Sequence, residues 1–247
     1  MSFVSRRSPW RVPSPPGPDA GPKPDDALLR LLLSAAWRPR ALAVSLAAGL
    51  GRIPDGAGQI LLHERIGRLL TTSAAAARLA TERGLDDVET CIAARLESGP
   101  VPTCGSWAET SLADETFGRA LEAAFAGFAS SSDEGLVALA SEAAPGPGCG
   151  EAPLAALSED ANNRECLQIL VDRWLPASVR VFGTPGGENE LSLLETRIKP
   201  SSAEDALAAY LADTEARLGA LGLWLPDAAR MGVTVPAGWT PRRGPRA

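Results

Sequence analysis

Two proline-rich ends bracket a long interior built from alanine and leucine, and this contrast limits the chain to a helical body with irregular termini. Proline fixes φ and removes an amide donor, so residues 1–25 can form neither a regular helix nor a central strand. They read as a disordered Pro-rich arm, and residues 226–247, rich in Pro, Gly and Arg, as a second tail. Between them, residues 26–225 read as one helical domain. The apolar share of 45% is ample for a buried core. Its bias toward Ala and Leu favours helices, because these side chains lose little freedom in them. Strand signals are weak and confined to Val179–Phe182 and Val233–Val235. The expected architecture is all-α, an antiparallel bundle of about six to eight helices.

Individual helices follow from caps and breakers. Asp25 and Asp26 precede an apolar run, Ala27–Trp37, which Pro39 is expected to end; Ala41–Leu50 resumes it before Gly51 and Pro54. A long helix is predicted over Ala57–Arg83, with Leu62, Ile66, Leu69, Ser73, Ala77 and Ala80 inward and Gly84 as its stop. Asp86 and Asp87 open a shorter one to Leu96. Ser106–Glu109 is an S-x-x-E capping box ahead of a helix to Phe128. Ser132, Asp133 and Glu134 start another that ends at Pro145, before the loop PGPGCG. A helix over Glu165–Phe182 carries Cys166, Ile169, Leu170, Trp174 and Ala177 on one side, with a kink at Pro176. A last helix runs from Ser202 to Gly222.

Charge and cysteine usage narrow the function classes. The net charge is −6, and the basic residues Arg6, Arg7, Arg11, Arg242, Arg243 and Arg246 crowd the ends, where they read as solvated tails. That pattern argues against nucleic-acid binding, which needs a basic face to displace counterions. The longest apolar stretch, Ala41–Leu50, is about half a membrane span, so no membrane role is expected. The N-terminus lacks the apolar region of a signal peptide. Cys91, Cys104, Cys149 and Cys166 form no C-x-x-C pair and read as reduced thiols in a cytoplasmic protein.

His63 is the single histidine, so no two-histidine metal site can form. The chain has no Glu-x-x-His, the i, i+3 pair on which di-metal carboxylate bundles rely. No acidic residue lies between Asp26 and Asp55. His63 reads as structural or solvent-exposed. Cys104-Gly105-Ser106-Trp107 is faintly similar to the C-G-[SA]-C-W stretch of papain-like proteases, but Ser106 stands at the nucleophile's position and the downstream His and Asn are missing. Gly183-Thr184-Pro185-Gly186-Gly187 could cradle an anion, although a helix-terminating loop explains it more simply. No Walker A, G-x-S-x-G or G-x-G-x-x-G motif is present.

Five segments taken in order, HERIGRLLTTSAAA (63–76), SWAETSLADETFGRA (106–120), DRWLPASVRVFGTPG (172–186), RIKPSSAED (197–205) and LGALGLWLPD (218–227), resemble the large subunits of the phenylacetyl-CoA epoxidase family. The resemblance covers residues 57–227 and implies a ferritin-like bundle from a multicomponent monooxygenase. It also implies that the di-iron ligands are lost. Where catalytic members carry D-E-x-G-H, this chain has Glu64-Arg65-Ile66-Gly67-Arg68, so both metal-binding positions are arginine. Gly118 stands where the third core helix supplies an Asp, and Glu142-Ala143-Ala144-Pro145 matches Glu-x-x-His with Pro145 in place of the His.

Arginine cannot lose its proton, and a buried guanidinium requires carboxylate partners. Arg65 and Arg68 are expected either to pair with remaining acids such as Glu109 or Glu142, or to be rotated toward solvent. The leading functional expectation is a non-catalytic ferritin-like protein, structural or regulatory. It would be a homo-oligomer or sit beside a related helical oxygenase subunit, and the family itself contains a metal-free structural subunit. A second is a small-molecule binding module holding acyl-CoA or another anion through Arg65 or Arg68 in the former pocket. A third is an enzyme of the phenylacetate catabolism type with unrecognised chemistry. No cofactor is expected.

Overall fold

The computed structural model describes residues 24–98, 101–146, 148–236 and 238–241. Most of the N-terminal arm and the terminal basic residues therefore lie outside the described residues. The chain is all-α, and no strand occurs among the described residues. Val179–Phe182 completes a helix and a 3-10 turn, and Val233–Val235 is irregular.

Helix α1 (Pro24–Gly49) and helix α2 (Gly56–Glu82) form the central antiparallel pair, with the Arg40 Nε donating to Ser73 Oγ at 3.1 Å. Proline at 39 does not end α1, contrary to the sequence expectation. An internal proline costs about 3 kcal/mol, but Ala35, Ala36, Leu42, Ala43 and Leu46 are all buried on either side of it. That shared apolar stripe holds the two halves on one axis. Asp55 caps α2 by accepting from Gly58 N at 2.7 Å, and Gly84, at φ +89°, ends the run as expected.

Helix α3 (Val88–Glu97) follows and packs on both α1 and α2. At the far end Ser45 Oγ accepts from Cys104 N at 3.1 Å, and α1 meets the next helix so closely that a Cβ on Gly49 would lie 2.0 Å from Thr110 Oγ1. Ser106 caps α4 (Trp107–Ala113), its Oγ accepting from Glu109 N at 3.1 Å. A π-helical segment, Asp114–Gly118, then leads into α5 (Arg119–Ala126) where an unbroken α-helix was expected. Arg65 meets Asp114, and further on Thr72 and Phe125 flank one cleft, so α4–α5 runs in the direction of α2. Helix α6 (Glu134–Glu142), capped by Asp133, returns: Gly135 sits against Leu79, and Gly146, just past it, against Arg68. With α1 and α6 running against α2 and α4–α5, these elements make an antiparallel helical bundle.

The described residues after 150 pack mainly on α1, α4, the π segment and α5. Helices α7 (Glu151–Ser158) and α9 (Glu188–Glu195) are additions to the expected set. Helix α8 (Ala161–Val179) starts earlier than expected because Asp160 caps it, accepting from Asn162 N and Asn163 N. Its inner face is also different. Leu167, Val171, Trp174, Leu175 and Ser178 are buried, whereas Cys166 is exposed and Ile169 is 69% exposed. Helix α10 (Ala203–Ala220) is capped by Ser202 as expected, and its Tyr210 hydroxyl donates to Thr116 O at 3.1 Å. The expected tail does not begin at 226: α11 (Ala228–Met231) packs on α8, with Met231 buried and Arg230 paired to Asp172 at 2.5 Å.

No helix among the described residues is long and apolar enough to cross a membrane.

Candidate functional site

The inner face of α2 carries a charge. Arg65 falls between Leu62 and Leu69 on the buried stripe and is 4% exposed. Its Nε donates to Asp114 Oδ1 at 2.7 Å and its Nη1 to Glu122 Oε1 at 2.7 Å. Asp114, Gly118 and Glu122 are spaced by four across the π segment, which brings all three to the side facing α2. Such π turns add one residue per turn and recur at functional sites. Gly118 supplies the space, since a Cβ there would lie 2.6 Å from Asp114 Oδ1 and 2.8 Å from Arg65 Nη2.

A second layer fixes the carboxylates. Asp114 Oδ2 accepts from Cys149 N at 3.0 Å and from Cys149 Sγ at 3.1 Å, tying the backbone just before α7 to the bundle centre. Glu115, on the same segment but facing α10, meets Arg217 Nη1 at 2.5 Å and Arg119 Nε at 3.6 Å. Its other oxygen, Oε1, is buried without a hydrogen bond.

Protonation follows from these contacts. Burial acts to lower the Arg65 pKa, but the charges and hydrogen bonds of Asp114 and Glu122 outweigh it and hold it above its ordinary value. Burial likewise acts to raise Asp114, yet the Arg65 charge and the Cys149 donors keep it below the usual carboxylate range. Glu115 goes the other way: desolvation raises it, and Arg119 and Arg217 only partly counter that. Burial and the neighbouring Asp114 charge push the Cys149 thiol up, which makes it a donor rather than a nucleophile.

The structure gathers Arg65, Arg68, Gly118 and Glu142 around one cleft, while Pro145 is exposed and outside its lining. Arg68 is partly buried and Glu142 exposed at the rim. Arg65 is not rotated to solvent, and its partners are neither Glu109 nor Glu142. Glu109 is engaged elsewhere, accepting from Trp174 Nε1 at 3.0 Å and Gly105 N at 2.7 Å, and paired with Arg173 at 2.7 Å. The true partners, Asp114 and Glu122, carried a sequence signal in the D-x-x-x-G-x-x-x-E spacing. The π segment that makes the spacing productive carried none.

A di-iron centre does not fit this donor set. A guanidinium lies between the two carboxylates that face α2. Among the described residues no three of His, Cys, Asp and Glu converge to hold a metal ion. His63 is exposed, its Nδ1 3.0 Å from Gln59 O. The cleft beside Arg65 and Arg68 has a volume of about 20 Å³, room for about one water. Arg65 already has both carboxylates as partners, so an acyl-CoA head group finds neither space nor a free cation at that residue. No protein-family model matches this chain, and no curated protein matches it, so the phenylacetyl-CoA epoxidase resemblance rests on the sequence segments alone.

Proposed function

We propose that this is a non-catalytic ferritin-like protein, a structural or regulatory subunit whose metal centre has been replaced by an internal ion pair. The observation that carries the reading is Arg65, held between Asp114 and Glu122 at 2.7 Å from each where a metal-binding bundle would place its cation. A guanidinium is permanently charged and forks between two carboxylates, so it neutralises both without redox chemistry. Gly118 supports the reading, because the side chain expected there would collide with Arg65. In this role the chain works as a homo-oligomer or beside a related helical oxygenase subunit. The four free thiols are in keeping with a reducing, cytoplasmic setting.

Native mass spectrometry of protein expressed with excess iron tests both halves together. A metal-free mass, in an oligomer or in complex with a helical partner subunit, is the expected result. A mass with two iron atoms per chain would overturn the loss of the centre, and a metal-free monomer that joins no such subunit would overturn the subunit role.

A further inference from the structure

A second, larger space lies away from the ion pair. It is bounded by α1 on one side and by the 183–187 loop with the start of α9 on the other, and its volume is about 250 Å³, against about 20 Å³ beside Arg65. Three cations line it, Arg30, Arg38 and Lys199, against one carboxylate, Glu190. In a chain of net charge −6 this is a local reversal of sign.

The cations are not equally engaged. Lys199 pairs with Glu190 at 2.8 Å, and Glu190 also accepts from Gly186 N and Ala203 N. Its charge is therefore absorbed in holding the loop and the start of α10. Arg38 donates to the carbonyls of Val181 and Arg180, at 2.5 and 2.7 Å, which orients it without neutralising it. Burial and the nearby Arg95 lower Arg38 to about 10. Arg30 is exposed and, among the described residues, makes one long contact, 3.4 Å to Asn189 Oδ1.

The floor is apolar. Leu31 and Val181, which line the cationic space, also line two adjoining recesses of about 60 and 40 Å³. Phe128 borders both recesses, with Phe125 in one and Phe182 in the other. Gly127 opens on the first, and nothing lies within 4 Å of where its Cβ would be. A cationic mouth over an aromatic floor matches a ligand with a charged head and an apolar tail.

We propose that this cleft is a binding site for an organic anion with an alkyl tail, its carboxylate or phosphate held by Arg30 and Arg38 and its chain lying over Leu31, Val181 and Phe128. The site does not depend on the loss of the metal centre, since a chain that carried iron could bind such a ligand equally well.

Isothermal titration of the full-length protein tests it with three probes: octanoate, acetate as its head alone, and octanol as its tail alone. Octanoate is expected to bind more tightly than either part. Arg30→Ala is expected to weaken it about tenfold, as for one charge-assisted hydrogen bond. Gly127→Leu, which fills the recess, is expected to weaken octanoate and leave acetate unchanged. Both positions are outside the tightly packed core, and a thermal melt of each variant confirms that it folds. The proposal is overturned if octanoate does not bind, if octanol binds as well as octanoate, or if both variants bind like the parent.

Discussion

Two arginine-centred regions of this molecule behave in opposite ways. At the bundle centre Arg65 is buried, saturated by Asp114 and Glu122, and has no room beside it. Between α1 and the 183–187 loop, Arg30 is exposed, weakly engaged, and borders open space. The same residue type is a structural element in one place and a candidate ligand contact in the other. What separates them is the supply of local carboxylates and the volume that neighbouring side chains leave.

The contrast can be broken most directly by removing the buried cation. Arg65→Met leaves Asp114 without its cation and Glu122 with only Arg119 at 3.7 Å, and removing one member of a buried pair costs about 3–5 kcal/mol. Urea unfolding of the variant measures this. A loss below about 1 kcal/mol would show that Arg65 is not the internal counter-ion. Adding Glu122→Gln to that variant should recover part of the loss, since one of the stranded charges is then gone. A smaller effect is expected at Gly118→Ala, whose Cβ would press on Asp114 and Arg65. Overpacking of this kind costs about 1–3 kcal/mol, again read from urea midpoints. Arg30→Ala should change stability by no more than about 0.5 kcal/mol, as for surface substitutions without special contacts. A large loss there would erase the distinction between the two regions.

Acid titration sharpens the same comparison. Asp114 has a folded pKa below its unfolded value. Its stabilisation is therefore present above the unfolded value, about 3.9, and lost as pH falls through the folded one. Glu115 is raised, so its ionisation opposes folding as pH rises through the folded value. Unfolding followed from pH 7 down to pH 2 should show an acid-side loss that Asp114→Asn reduces, the remainder coming from Glu89 and Glu190, whose carboxyls are also held below the usual range. Glu115→Gln should remove the opposing contribution and make the remaining loss steeper. An unchanged acid profile in both variants would contradict the burial of these groups.

Much of the fold was legible because its signals are local. Ser106, Ser202 and Gly84 act at the expected places. Pro39 misled because its local cost is outweighed by the packing of α1 on α2, which no short window contains. The face of α8 was misread through Ile169, an apolar residue that tertiary structure leaves outside. At the site, the arginines and Gly118 were visible as substitutions within a resembling pattern. Their consequence was not, because Asp114 and Glu122 reach Arg65 only through the π segment. The cleft at Arg30 was foreshadowed only by the glycines of residues 183–187. Its cations come from α1 and from the stretch before α10, far apart in sequence.

The most direct test of the central claim is a crystal structure of iron-soaked protein with anomalous data collected at the iron edge. Guanidinium density for Arg65 between Asp114 and Glu122, with no anomalous peak there, is the expected result. A peak at that position, with Arg65 displaced, would contradict it.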